Sequence, residues 1–99
     1  MGFLMPEIEL REQLRWFAEQ METVLGQNDH RGGWESETWE YLFVHLEDKI
    51  KELTTEFYKE GYDNIFDSSL NENVSAIIRK AIDVANYAMM IADNLRGEE

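Results

Sequence analysis

The stretch from Val74 to Leu95 constrains the fold most, because its apolar residues recur at helical spacing for about six turns. One stripe, rich in alanine, advances by alternating steps of four and three, and a second apolar stripe runs beside it. A helix that is apolar on so many sides lies at the centre of a domain or of an oligomer. The first stripe is Val74, Ile78, Ala81, Ala85, Ala88, Ala92 and Leu95; the second is Ile77, Val84 and Ile91.

The rest of the sequence points to a single all-α domain that covers residues 1–99. The predicted architecture is a bundle of three long helices and a short connector helix, completed by oligomerisation. Proline occurs once, and the few glycines fall mostly between the periodic segments. The predicted helices run from Pro6 to Gly26–Asn28, from the N-cap Ser36 to Gly61, and from a capping box at 69–72 to Arg96, with the short helix in the connector 61–70.

Composition excludes several classes of function. The chain has no cysteine, which rules out a disulfide framework and a zinc–thiolate site. Its net charge of −12 argues against general binding to nucleic acid or to an anionic membrane. No apolar run approaches the roughly 20 residues that span a bilayer. We therefore expect a cytoplasmic protein.

The second predicted helix has an apolar seam with a polar stripe at its edge. The polar stripe advances at steps of four, three and four, so we expect it to be half-buried. The seam is Trp39, Leu42, Phe43, Leu46, Ile50, Leu53 and Phe57, and the polar stripe is His45, Lys49, Glu52 and Glu56.

The loop NDHRGGWES, residues 28–36, carries His30, Arg31 and Trp34 around two adjacent glycines. An aromatic and basic loop of this kind can stack on a base and contact phosphate. The alternative is an exposed histidine and a tryptophan that covers a helix end. We predict that Trp34, with His30 or Arg31, lies near a ligand pocket.

Two lysine–carboxylate pairs share the same spacing. Lys49 precedes Glu52 by three residues, and Lys80 precedes Asp83 by three, which places each pair on one helix face. Lys80, Asp83 and Asn86 also interrupt the apolar surface of the third helix, where an aspartate is costly unless it is paired. If the two faces oppose each other, they form one polar cluster inside the bundle.

The segments LEDKIKEL, RKAIDVANYAMMIADN and NDHRGGW resemble the all-α MazG-like nucleoside triphosphate pyrophosphohydrolases. The resemblance implies an EExxE and an ExxD motif on two helices, whose four acidic residues bind the magnesium that holds the triphosphate and activates water. It also implies an asparagine that contacts the nucleotide. Here Glu52, Asp83 and Asn86 match the pattern, whereas Lys49 and Lys80 stand where the family has glutamates.

The two lysines change what such a site can do. Together, Lys49, Glu52, Lys80 and Asp83 sum to about zero charge, so magnesium, which needs several oxygen ligands, is weakly attracted. An ammonium group binds phosphate but does not generate hydroxide from water as a metal ion does. We expect no cofactor, and a pocket that binds a nucleotide or nucleotide-derived signal without hydrolysing it, as a sequestering protein would.

Two alternatives stay open at this point. One is a magnesium-dependent pyrophosphohydrolase, in which Glu52 and Asp83 are metal ligands, with Asp48 and Glu56 as substitutes for the missing glutamates. The other is a structural or interaction protein in which Lys49–Glu52 and Lys80–Asp83 are ion pairs that hold the bundle. The resemblance also implies dimers or dimers of dimers, and we expect a homodimer or homotetramer built on the third helix.

Overall fold

The computed structural model of the protein describes residues 8–59 and 71–98, without the side chains of Arg31, Asn71, Glu72 and Asn73. Within these ranges the chain is helical and has no strand, which confirms the predicted all-α class. The predicted connector helix and the start of the capping box at Ser69 lie outside the described residues. The helices are α1, Glu12–Gln27, a short 3-10 helix, Asp29–Arg31, α2, Trp39–Lys59, and α3, Asn71–Arg96.

α3 is the helix around which the other two are arranged. It packs along α2 and, over a shorter length, against α1, while α1 and α2 do not pack against each other in the described residues. The buried side of α3 carries Ile82 and Asn86, which are 4% and 3% exposed. The polar face of α3 therefore turns inward, and the alanine stripe leaves Ala88 and Ala92 exposed.

The N-termini of α1 and α2 differ from the sequence predictions. α1 begins at Glu12, because residues 8–11 are not helical: Arg11 is extended and Ile8 is 85% exposed. The predicted start at Pro6 lies outside the described residues. The N-cap of α2 is Thr38, whose Oγ1 accepts a hydrogen bond of 3.1 Å from the Tyr41 N–H. Ser36 is not the cap, because it lies inside a turn in which the Glu37 N–H donates to the Trp34 carbonyl.

Much of the apolar surface of the described chain stays uncovered. Its buried hydrophobic side chains are Val24, Leu42 and Ile82. The predicted seam of α2 is split: Leu42 is buried, whereas Trp39, Phe43 and Ile50 are about half exposed. α2 therefore turns one face toward α3 and leaves a second apolar face open. None of the described helices is long and apolar enough to cross a membrane.

Candidate functional site

A pocket of about 420 Å³ lies between α2 and α3, closed at one end by the loop that follows α1. Its volume falls within the range of about 300–1,000 Å³ typical of small-molecule sites. Four parts of the chain form its wall: Val24, Leu25 and Asn28 from the end of α1; Gly32, Gly33, Trp34 and Glu37 from the loop; Tyr41, Leu42, His45 and Lys49 from α2; and Arg79, Asp83, Asn86, Tyr87 and Met90 from α3.

An ion-pair network crosses from α2 to α3 beside the pocket. Lys80 Nζ lies 3.0 Å from Glu52 Oε1, and Lys49 Nζ lies 3.6 Å from the same oxygen. The two predicted faces therefore do oppose each other. Lys80 does not pair with Asp83, as the ion-pair alternative had it: Asp83 pairs with Arg79 at 3.4 Å, one turn away, and Lys80 reaches across to the other helix.

The network leaves a nearly neutral patch on a strongly acidic protein. Three cations and two carboxylates give it a formal charge of +1, and Glu37, which lines the pocket from the loop, brings the sum to zero. The hydrogen bond from Lys80 is the main cause that lowers the pKa of Glu52, with smaller contributions from Lys49. Glu52 is therefore held as a carboxylate by two cations.

Within residues 8–59 and 71–98, the carboxylates beside the network are either paired with cations or exposed. Glu52 is shared by two lysines, Asp83 is paired with Arg79, and Asp48 is exposed. Among the described residues, no three histidine or carboxylate side chains come close enough together to hold a metal ion. Magnesium prefers several oxygen ligands in near-octahedral geometry, and here Glu52 and Asp83 each already have a cationic partner.

Aromatic side chains form the part of the pocket nearer the loop. The His45 ring lies 4.4 Å from Tyr41, tilted by 54°, and 5.7 Å from Tyr87, nearly parallel at 13° (distances between ring centroids). Tyr41 is 49% exposed, so about half of its side chain is accessible from solvent. Tyr41, His45 and Lys49 follow at steps of four on α2, which sets aromatic rings and an ammonium group along one face.

Asn86 combines burial with an unused acceptor. Its Nδ2 donates to the Met21 carbonyl at 3.3 Å, which fixes the amide so that Oδ1 points away from that carbonyl. Oδ1 is buried and has no hydrogen-bond partner among the residues that the structure describes. An unpaired buried acceptor costs about 1–3 kcal/mol, so the site favours a ligand that brings an N–H or O–H donor.

The loop end of the pocket is fastened to the last turns of α3. Trp34 Nε1 donates to Asp93 Oδ2 at 3.0 Å, and Asn94 Nδ2 donates to the carbonyls of Trp34 and Glu37 at 3.1 and 3.0 Å. The hydrogen bond from Trp34 is the largest cause that lowers the pKa of Asp93, followed by the one from Arg96. Gly32 lets the chain turn back here, with a φ of 86°.

The structure brings together some of the predicted site residues and separates others. Lys49, Asp83, Asn86 and Trp34 line one pocket, while Glu52 and Lys80 form the ion pair beside it. His30 is exposed and is not part of the pocket wall. Arg31 lies in the 3-10 helix, and its side chain is outside the described set.

The sequence reasoning missed Tyr41, Arg79 and Tyr87, which also line the pocket. A signal existed for two of them: Tyr41 stands four residues before His45, and Arg79 four before Asp83. It also missed Asp93 and Asn94, whose contacts span 57 to 60 residues and leave no local pattern.

The comparisons with known proteins leave the family open. No protein-family model, no curated protein and no solved structure matches the chain.

Proposed function

We propose that the protein binds a nucleotide or a nucleotide-derived small molecule in this pocket and holds it without magnesium-dependent hydrolysis. One observation carries the proposal: a single pocket joins an open aromatic wall to the cations Lys49 and Arg79. A base can stack on the wall by the π-face of Tyr41 or Trp34. Arginine and lysine are the side chains that pair with phosphate.

The ligand would lie along the groove between α2 and α3. At the loop end, Tyr41 and Trp34 would stack on the base. At the other end, Lys49 and Arg79 would pair with the phosphates. Asn86 Oδ1 would then accept a hydrogen bond from a donor on the ligand, which removes an unsatisfied buried atom. The near-neutral patch admits this anion more readily than four carboxylates would.

The absence of hydrolysis rests on the contacts of the carboxylates. Glu52 is paired with Lys80 and Lys49, and Asp83 with Arg79, so each carboxylate would have to exchange a cationic partner for a metal ion. The lysines supply fixed positive charge in place of a cation from solution. We therefore propose a nucleotide-binding or sequestering protein. The alternative is a pyrophosphohydrolase, which would be favoured if an activity assay detected magnesium-dependent hydrolysis.

A thermal-shift screen of ribonucleotides, deoxyribonucleotides and cyclic nucleotides, each with and without magnesium, tests the proposal. A ligand at ten times its Kd stabilises the folded state by about 1.4 kcal/mol. For a chain of this length, that raises Tm by about 6–11 °C. We expect at least one nucleotide to do so equally well in EDTA.

A matched pair of variants separates the pocket from general charge. Lys49 lines the pocket, whereas Lys51 on the same helix is exposed and is not part of its wall. Lys49→Met should abolish the stabilisation, and Lys51→Met should leave it intact. If no nucleotide shifts Tm, the binding proposal fails. If a nucleotide is cleaved to pyrophosphate only with magnesium, the enzyme reading replaces it.

We also propose that the protomer self-associates. Much of the apolar surface of its described helices is uncovered, including large side chains of α2 that are about half exposed. Contiguous exposed apolar surface of this kind is typical of protein–protein contact sites.

The uncovered faces of α2 and α3 are the surfaces available for this contact. On α2 they include Trp39, Phe43 and Ile50, and on α3 the exposed part of the alanine stripe. Phe43→Glu should shift sedimentation toward monomer, because a charge would be buried without a partner. Thr55→Glu, exposed on another face of α2, is the control. A wild-type monomer at micromolar concentration would overturn this proposal.

A further inference from the structure

We infer that Asp93 and Asn94 are positioning residues, which hold the segment 34–37 against the end of α3 so that Trp34 forms a fixed wall of the pocket. This inference rests on the proposed function for its ligand, but the contacts that carry it are independent of any ligand. Neither residue is part of the pocket wall, whereas Trp34 and Glu37 both are.

Asn94 forms hydrogen bonds to both ends of the segment 34–37. Asn94 donates from one amide nitrogen to two carbonyls, those of Trp34 and Glu37, and so binds the first and last residues of the turn. The turn closes itself through the Glu37 N–H and the Trp34 carbonyl, which are 3.0 Å apart. One side chain of α3 therefore fixes the backbone path of the whole segment.

Asp93 fixes the orientation of the indole ring. Its Oδ2 accepts from Trp34 Nε1 at 3.0 Å, and its Oδ1 accepts from Arg96 at 2.8 Å. The carboxylate is held between two donors, so it offers the indole an acceptor in a set place. A tryptophan whose edge N–H is bound in this way presents its faces in a defined direction, which is what stacking against a planar base requires.

The loop would be conformationally variable without the contacts of Asp93 and Asn94. Residues 32–38 have no regular secondary structure of their own, and Gly32 at a positive φ widens the choice of backbone paths. An unfastened wall would lose conformational freedom when a ligand binds, and that loss would weaken binding. Asp93 and Asn94 order the wall before the ligand arrives.

Amide hydrogen exchange tests the fastening without any ligand. Asp93→Ala should raise exchange of the Glu37 amide, which donates to the Trp34 carbonyl, about fivefold, the change expected for loss of one hydrogen bond. Asn94→Ala removes two hydrogen bonds and should raise it further. Exchange at Ile82, in the buried part of α3, serves as the control for global stability. Arg96→Ala, which leaves the Trp34–Asp93 bond in place, should have a smaller effect. Unchanged exchange in both alanine variants would overturn the inference.

Two conservative variants separate positioning from a general loss of folding. Asp93→Asn keeps an acceptor oxygen and should restore most of the protection that Asp93→Ala loses. Trp34→Phe keeps an aromatic ring but removes the donor, and should loosen the segment as Asp93→Ala does. If Asp93→Asn exchanges as fast as Asp93→Ala while Ile82 stays protected, the proposed acceptor role is wrong.

Titration with ATP and with UTP, one purine and one pyrimidine probe, tests the consequence for binding. Where either probe binds the wild type, Asp93→Ala should weaken its Kd, by up to about fivefold when the unfastened wall is the main state of the variant. A Glu37 amide that exchanges at its unprotected rate while Kd is unchanged would overturn the positioning role. If neither probe binds the wild type, the proposed function fails for these nucleotides, and the exchange result alone decides whether the wall is fastened.

Discussion

Replacing both lysines of the ion-pair network by glutamate tests whether the site works without a metal ion or is a metal-binding site. The double variant Lys49→Glu, Lys80→Glu puts carboxylates at the two positions where the resemblance implies them. In the wild type both lysines contact Glu52, at 3.6 and 3.0 Å. The variant converts both attractions into repulsions.

The cost can be worked from the exposure of these groups. The side chains of Lys49, Lys80 and Glu52 are 27%, 32% and 41% exposed, so solvent screens the pairs and each is worth about 0.5 kcal/mol. Losing two such attractions and gaining two repulsions of similar size lowers the free energy of unfolding by about 2 kcal/mol. For a domain of this size, Tm should fall by about 8–16 °C.

Magnesium should reverse part of this loss in the double variant and much less in the wild type. At ten times the Kd for the ion, the gain is about 1.4 kcal/mol. The assay is thermal unfolding in EDTA and in increasing magnesium, with release of pyrophosphate from a nucleoside triphosphate as a second measurement. We expect weak or absent activity in the wild type and partial recovery in the variant.

The control is Arg15→Glu with Lys51→Glu, which changes the net charge equally at two exposed positions. Its stability should stay within about 0.5 kcal/mol of the wild type. A double variant as stable as this control in EDTA would show that the network contributes nothing. A wild type that magnesium stabilises as strongly as the variant would show that Lys49 and Lys80 do not occupy metal-ligand positions.

Two further predictions concern Asn86 and Glu52. Asn86→Leu should raise the free energy of unfolding without ligand by about 1 kcal/mol in urea titrations, because it removes a buried unpaired acceptor and loses only the hydrogen bond to the Met21 carbonyl. The same variant should abolish nucleotide-induced stabilisation. Because the folded-state pKa of Glu52 lies below its ordinary value of 4.5, its ion pairs stabilise the fold above that pH and lose this effect as the pH falls through the lower, folded-state pKa. The stability difference between wild type and Lys80→Met, measured in urea from neutral to acidic pH, should therefore be largest near neutrality and vanish in acid; a difference that grows in acid would refute it.

Helical periodicity was sufficient to predict the all-α class and the central place of 74–95. It was also sufficient for the half-buried stripe His45, Lys49, Glu52 and Glu56, all of which are intermediate in exposure. These features depend on spacing of three and four residues, which a sequence displays directly. Helix starts were predicted less well, since Thr38 and Ser36 have equal capping chemistry and only the loop geometry chooses between them.

The choice of ion-pair partners could not be predicted from spacing. Lys80 can reach Asp83 on its own helix or Glu52 on α2, and the packing of α2 against α3 decides for Glu52. Arg79 then takes Asp83 from one turn away. The contacts of Asp93 and Asn94 with the loop depend on tertiary structure in the same way. The sequence thus identified most of the polar groups at the site but not how they are paired.

The two ways in which α3 is fastened differ in the length of chain that they enclose, which bears on the order of folding. The Lys80–Glu52 contact spans 28 residues, whereas the contacts of Asp93 and Asn94 with the loop span 57 to 60. Closing twice the length of chain costs about 0.6 kcal/mol more in entropy. We expect α2 and α3 to pair first and the loop to dock last. The described contacts of the Trp34 segment with the end of α3 are three hydrogen bonds, whereas α2 and α3 pack along their length. The wall should therefore open more readily than the helix pair, so the pocket can be lost and regained while the two helices stay together.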